Sequence, residues 1–417
     1  MIHRLSTLFV LVLLIAIMFP LPVYADGFPI IGSLHSGRSP ESMAVDTQTH
    51  LLYIAYEGPG QVVAFDPIRG TGRWRVTLGN VATDIQVDSS SHRVFVAVDD
   101  FTHNEGKLFI LDGATGQQLA TFHTDLGDNG VALDTQRHVV YVSSSDKGIV
   151  YVFRVQTGWQ SGPVQATSSQ LHVGTHPQGL GVNSHLGRLY VADITTHTLS
   201  VIDEANMHVL ATLQLAKTPL QPLQVDEATG RVYIVCAGGQ ELDVIDGNKN
   251  RIQARIPVAP YPEGVAFNTA TGRIYVADEG DDEGGRVHDS GTTITVIDGK
   301  TLSVLGTMQV GKAPNGVASD PDLRRVYVAL EDSSAVVEVS DSVNLPLQAN
   351  VKPGEAVAAR DAVKLLQQAT ILTLVVMLLT IVGTTLDALS PRLRVLGSLQ
   401  TPQVDASSRS SQHNLPR

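Results

Sequence analysis

One pattern returns seven times along this chain, and a repeat of that length constrains the fold more than any other feature. Each copy is an alternating apolar segment ending in Asp or Asn, a four-residue turn, and a strand of β-branched and aromatic residues. The copies open with SPESMAVD at 39, ATDIQVD at 82, DNGVALD at 128, PQGLGVN at 177, LQPLQVD at 220, PEGVAFN at 262 and PNGVASD at 314. The aromatic of the second strand falls at Tyr53, Phe95, Tyr141, Tyr190, Tyr233, Tyr275 and Tyr327, roughly 40 to 50 residues apart, which is the period of a propeller blade. A third strand follows in most copies and closes with Asp, as in LSVID (199–203) and ITVIDG (294–299), and a fourth runs outermost, as in RIQARIPV (251–258). A single unit would expose an apolar face and two open strand edges, so the units must stack around a common axis. FPIIGSL (28–34) precedes the first copy as an orphan fourth strand, and the last copy stops after its third, VVEVS (336–340). The two deficits complement each other. The pattern therefore predicts an all-β chain, a seven-bladed β-propeller over 28–341 with four-stranded antiparallel blades, whose last blade is completed by the N-terminal strand.

The segments PNGVASD, RVYVA and ITVIDG, and the PxG motif that heads successive blades, resemble the YVTN-type (YncE-like) propeller repeats of secreted and surface-layer proteins. The resemblance covers about residues 28–340 and implies the propeller fold; it implies no single activity, because that family is known by its repeat and propellers host many functions. Two blades depart from the pattern. Blade 2 has Ala82 and Asp84 in place of the PxG head, and blade 3 has Arg154 where an Asp closes the third strand of most copies.

The two ends read as addresses. Arg4, the apolar run LFVLVLLIAIMF (8–19), Pro20 and the small residues up to Ala25 form the pattern of a signal peptide over 1–25. Residues 342–364 read as a linker, and LLQQATILTLVVMLLTIVGTTL (365–386) as a transmembrane helix, being uncharged and long enough to cross a hydrocarbon core of about 30 Å. The segment 387–417 reads as a disordered tail. It carries Arg392, Arg394, Arg409 and Arg417 against Asp387 and Asp405, an excess of cations that the positive-inside rule keeps cytoplasmic. The expected arrangement is a single-pass membrane protein with its propeller extracytoplasmic.

The formal net charge of −12 argues against a nucleic-acid partner, since phosphate binding rests on clustered Lys and Arg. Cys236 is the one cysteine, so no intramolecular disulfide can form, and its apolar setting RVYIVC reads as core. Motifs for nucleophilic hydrolysis, nucleotide binding and haem attachment are missing from the sequence, and no residue is assigned a catalytic role.

The residue five before each terminal Asp or Asn heads the first strand, which lines the channel in a propeller. Those positions are Glu41, Thr83, Asn129, Gln178, Gln221, Glu263 and Asn315, with Asp84 next along in blade 2. All are polar, and together they read as a binding ring at one channel mouth, although any solvated rim tends to be polar. Once the circle closes, Glu263, Asn315 and Glu41 lie on adjacent blades, and two carboxylates and an amide suit Ca²⁺ or Mg²⁺. Two acidic insertions, EGDDEGGRVHDSGT (279–292) and DDFTHNEGK (99–107), read as solvated loops of the kind that make partner contacts. The recurring acids Asp46, Asp88, Asp134, Asn183, Asp226, Asn268 and Asp320 read as turn residues, and His50, His92 and His138 as surface side chains in those turns. The expected function is a monomeric binding or scaffold module for a protein, glycan or cell-envelope partner. The alternatives are a cation-dependent hydrolase, by analogy with propeller lactonases, and a structural surface-layer component.

Overall fold

A computed structural model describes residues 30–35, 39–58, 60–127, 130–220, 222–281 and 289–341. The expected signal segment, linker, membrane span and tail lie outside these residues, as do Asn129 and Gln221. Among the described residues no helix is long and apolar enough to cross a membrane.

Among the described residues each repeat folds into its own antiparallel sheet, seven sheets in all. Blade 4 shows the plan: Pro177–Asn183, Arg188–Asp193, Thr198–Asp203 and His208–Gln214 pair in chain order. The turn between first and second strands forms because Asp or Asn supplies acceptors that a bare backbone turn lacks. Asp46 Oδ1 accepts from the backbone N–H of Gln48 at 2.9 Å and Thr49 at 3.2 Å, and Asp134 Oδ1 repeats this with Gln136 and Arg137, both at 2.9 Å. The turn ends on a left-handed residue, Gly in blades 4 to 6 but His50, His92, His138 and Arg324 in the others. The repeated acids are thus turn formers, as their recurrence suggested.

The last blade is composite. Pro314–Asp320, Arg325–Leu330 and Ala335–Ser340 come from the C-terminal end of the repeat region, and Ile30–His35 supplies the fourth strand, with Ile30 opposite Val339 and His35 opposite Ala335. Blade 2 keeps the shared register despite its altered head, with Asp84 opposite Ala97 as Ser42 is opposite Ala55. Blade 3 differs at its outer end: its third strand extends to Thr157, and a longer hairpin leads to Gln165–His172. In blade 5 the first strand is broken into Thr218–Pro219 and Gln224–Asp226.

The core lies between blades rather than within them. Among the described residues, seven apolar clusters occupy the interfaces between neighbouring sheets. The cluster joining blades 7 and 1 contains Met43, Leu52, Ile54 and Tyr56 from one and Ala318, Tyr327, Ala329 and Val336 from the other, so the ring closes by the same burial that builds it. The second-strand aromatics are pegs in these interfaces. Tyr53 donates to the carbonyl of Gly113 in blade 2 at 3.1 Å, and Tyr141 to Glu204 of blade 4 at 2.9 Å. Cys236 is fully buried, in keeping with its apolar sequence setting.

Candidate functional site: the channel mouth and its acidic face

Antiparallel pairing puts the head of each first strand beside the end of the second, as in Pro40 with Tyr56, Pro177 with Asp193, Pro262 with Asp278 and Pro314 with Leu330. The ring residues and the second-to-third-strand loops therefore share one end of the blades. Just past each head the pairing register shifts, between Pro40 and Ser42, Ala82 and Asp84, Pro177 and Leu180, Pro262 and Val265, and Pro314 and Val317. These bulges free the middle residue of the PxG motif from the ladder.

The glycine that follows serves close packing. A Cβ on Gly316 would lie 2.6 Å from the carbonyl oxygen of Glu41, and one on Gly264 would collide with the carbonyl of Asn315. Neighbouring inner strands thus approach backbone to backbone around blades 6, 7 and 1. Blades 1 to 3 replace that contact with buried hydrogen bonds. Asp84, 2% exposed, accepts from the Ser42 hydroxyl and the Ile85 N–H through Oδ1 and from the Val131 N–H through Oδ2, each at 2.8 Å. Burial pushes its carboxyl up to about 6, with the Val131, Ser42 and Ile85 donors opposing. Asp84 therefore sits one residue deeper than the ring and stitches three blades together.

Of the ring itself, Glu41 is exposed, Gln178, Glu263 and Asn315 are half-buried, and Thr83 is buried. The Asn315 amide donates to the Pro40 carbonyl at 3.1 Å, and its oxygen accepts from the Gly316 N–H at 2.6 Å, joining blade 7 to blade 1. Glu263 is the perturbed acid. Burial first, then Glu279, Glu41 and Glu331, push its carboxyl up to about 8. Glu279 and Glu331 occupy matching places in blades 6 and 7, one residue past the partners of Pro262 and Pro314, where Glu279 donates its N–H to Tyr261 and Glu331 to Ala313, both at 2.9 Å. Glu331 lies on no first strand, so the first-strand pattern does not reveal it; the pairing of Pro314 with Leu330 brings it to the ring. Beside them, burial raises Asp278 to about 8 against hydrogen bonds from Thr295 at 2.8 Å and Thr293 at 3.1 Å.

Among the described residues, Asp100, His103 and Glu105 bring His, Asp and Glu ligand atoms within 4.8 Å of one another. They belong to the blade 2 insertion that the sequence marked as a solvated loop. Lys107 Nζ lies 3.0 Å from Asp100 and 2.8 Å from Glu105, so an ammonium already neutralises the pair. His103 and Lys107 together hold the Asp100 carboxyl down at about 2.

Fold, repeat and ring closure define a seven-bladed β-propeller. The chain is similar to YncE of Salmonella typhimurium, an uncharacterised protein, at 25% identity over 206 residues, 48% of this chain and 53% of that protein. The YncE protein of Salmonella typhi matches at 24% over 206 residues. The chain thus spans about half the length of the curated relatives it matches. No family model matches. A chain in the crystal structure of a mitotic checkpoint complex superposes with a TM-score of 0.62 at 11% identity, covering 76% of this chain and 94% of that one, a likeness of fold alone.

Proposed function

We propose that the chain is an exported, membrane-tethered binding module that presents the acidic channel mouth to a protein or glycan of the cell envelope. The observation that carries this reading is the gathering of Glu41, Glu263, Glu279 and Glu331 at one end of a rigid ring, where burial first and then the neighbouring carboxylates keep Glu263 protonated above the usual carboxylate range. Like charges held together at a cost to stability point to a role other than folding. The glycine contacts and the Asn315 bridge fix the frame that holds them, and the inserted loop at 99–107 widens the same face. The export signal and apolar span of the sequence put that face outside the membrane. Protease added to intact cells tests this topology: digestion of the propeller with the 387–417 tail protected supports it, and a propeller protected until lysis overturns it.

The same crowding favours a cation at the mouth. Ca²⁺ or Mg²⁺ there would be held by Glu41 and Glu263, with the Asn315 carbonyl as a third oxygen ligand, and would relieve the repulsion that raises Glu263. Calorimetry on the wild type should give a weak Ca²⁺ or Mg²⁺ heat that is lost when Glu41→Gln and Glu263→Gln are combined. No heat in the wild type, or the same heat in the double variant, removes the cation from the account.

A further inference from the structure

At the opposite end of the blades, the long hairpin of blade 3 leaves its own sheet and leans on blade 2. Trp159 packs on Phe95 with ring centroids 5.3 Å apart and donates to Asp88 at 2.7 Å. Gln160 reaches Ser90, and the carbonyl of Gly162 accepts from Arg93 Nη2 at 3.2 Å. Between hairpin and blade lies a cavity of about 370 Å³ lined by Ser91, Arg93, Asp112, Gln117, Gln118 and Gln160, among others.

Arg93 is the anomaly in that cavity. It is 4% exposed, yet Nε and Nη1 find no acceptor. A buried guanidinium ordinarily meets a carboxylate or several carbonyls, because stripping its water without replacement is costly. The matching arginines of other blades follow that rule. Arg188 lies 3.6 Å from Asp203, Arg273 2.6 Å from Asp341 and Arg325 2.9 Å from Glu338, and Arg231 donates to Gln253 and to the Gly299 carbonyl. Asp112, opposite Arg93 in the sheet, instead accepts from the Thr115 N–H at 2.9 Å and its hydroxyl at 2.7 Å.

We propose that this cavity is a binding site for a small hydroxylated carboxylate, its carboxylate accepting from the free donors of Arg93 and its hydroxyls meeting the amides and hydroxyl of Gln117, Gln118, Gln160 and Ser91. A volume of this size suits a single sugar-acid ring or a chain-terminal residue. One guanidinium matches one monoanion. A phosphate dianion would face Asp112 with twice the charge, which disfavours it.

The full chain in detergent is titrated with glucuronate, acetate and inorganic phosphate while the backbone amide signals of Gln118 and Gly162 are followed. Glucuronate should move both signals and saturate, acetate should bind the same site more weakly, and phosphate should bind least. Arg93→Met should weaken glucuronate at least tenfold. Because that variant exposes a buried site to refolding problems, Gln118→Glu serves beside it: the side chain is exposed, and a carboxylate placed at the cavity edge should compete for Arg93 and abolish binding. No movement with glucuronate, tighter binding of phosphate than of glucuronate, or undiminished binding in both variants would each overturn the proposal.

Discussion

At the scale of single residues, the carboxyl groups of the mouth make stability depend on pH with a definite sign. Glu263 and Asp278 sit near 8 in the fold and Asp84 near 6, against about 4 in an unfolded chain. The folded state therefore holds more protons than the unfolded one across that interval, so these groups favour the fold below about pH 4, and their contribution is lost as pH rises to 8. Glu263→Gln should leave the melting temperature unchanged at about pH 3.5, where the carboxyl is protonated in both states, and raise it by several degrees at pH 8; calorimetric scans at the two pH values check this, and an equal shift at both would refute it. Asp84→Ala has the opposite effect, since it strands the Ser42 hydroxyl and the Val131 and Ile85 N–H groups away from water. Denaturant titration should show a loss of about 3 kcal/mol. Asp84 also marks where sequence reading stops. Its polarity and place beside the ring were legible, but its burial depends on a bulge one residue away and on a serine one blade back. His50 and His92 are similar: the sequence puts them in surface turns, whereas their Nδ1 atoms lie 2.8 Å from Asp320 and 2.7 Å from Asp46, each on the preceding blade. Contacts across a blade boundary span about one repeat or the whole ring, and no local pattern encodes them.

At the scale of elements, the glycine of the PxG motif carries a prediction of its own. Gly316→Ala must move blade 7 away from the Glu41 carbonyl and should cost about 2 kcal/mol or more, whereas Gly72→Ala, where nothing lies within 4 Å of the added carbon, should be neutral. Equal stability of the two variants in urea would show that the inner strands have slack. The strands themselves were legible because alternation, turn acids and repeat length all agree. The departures that the sequence flagged turned out to differ in kind. Blade 2 keeps its register and substitutes a hydrogen-bonded carboxylate for close glycine packing. Blade 3, with Arg154 opposite Val139 where an Asp stands in blades 2, 4, 5 and 6, drops the short turn and grows the hairpin that builds the Arg93 cavity. An altered turn residue is visible in a sequence; where the longer hairpin then lies is decided by Trp159 finding Phe95 and Asp88.

At the scale of the whole molecule, seven equivalent interfaces hold the ring and one strand from the far end of the chain closes it. Closure removes the two open edges that would invite pairing with other chains, so a propeller lacking residues 28–35 should expose the Ala335–Ser340 edge and associate, as light scattering would show. The complementary deficit of strands at the two ends was readable because counting strands needs no side-chain detail. The placement of Ile30–His35 against Ala335–Ser340 is also the most direct point of test. Cysteine pairs at Ser33 with Val337 and, in a second variant, at Leu34 with Val336 sample two adjacent register positions, of which one is the closely spaced pair suited to a disulfide. With Cys236 fully buried and out of reach, mild oxidation of the folded protein should cross-link at least one variant and raise its melting temperature; free thiols in both after oxidation would contradict the closed seven-bladed ring.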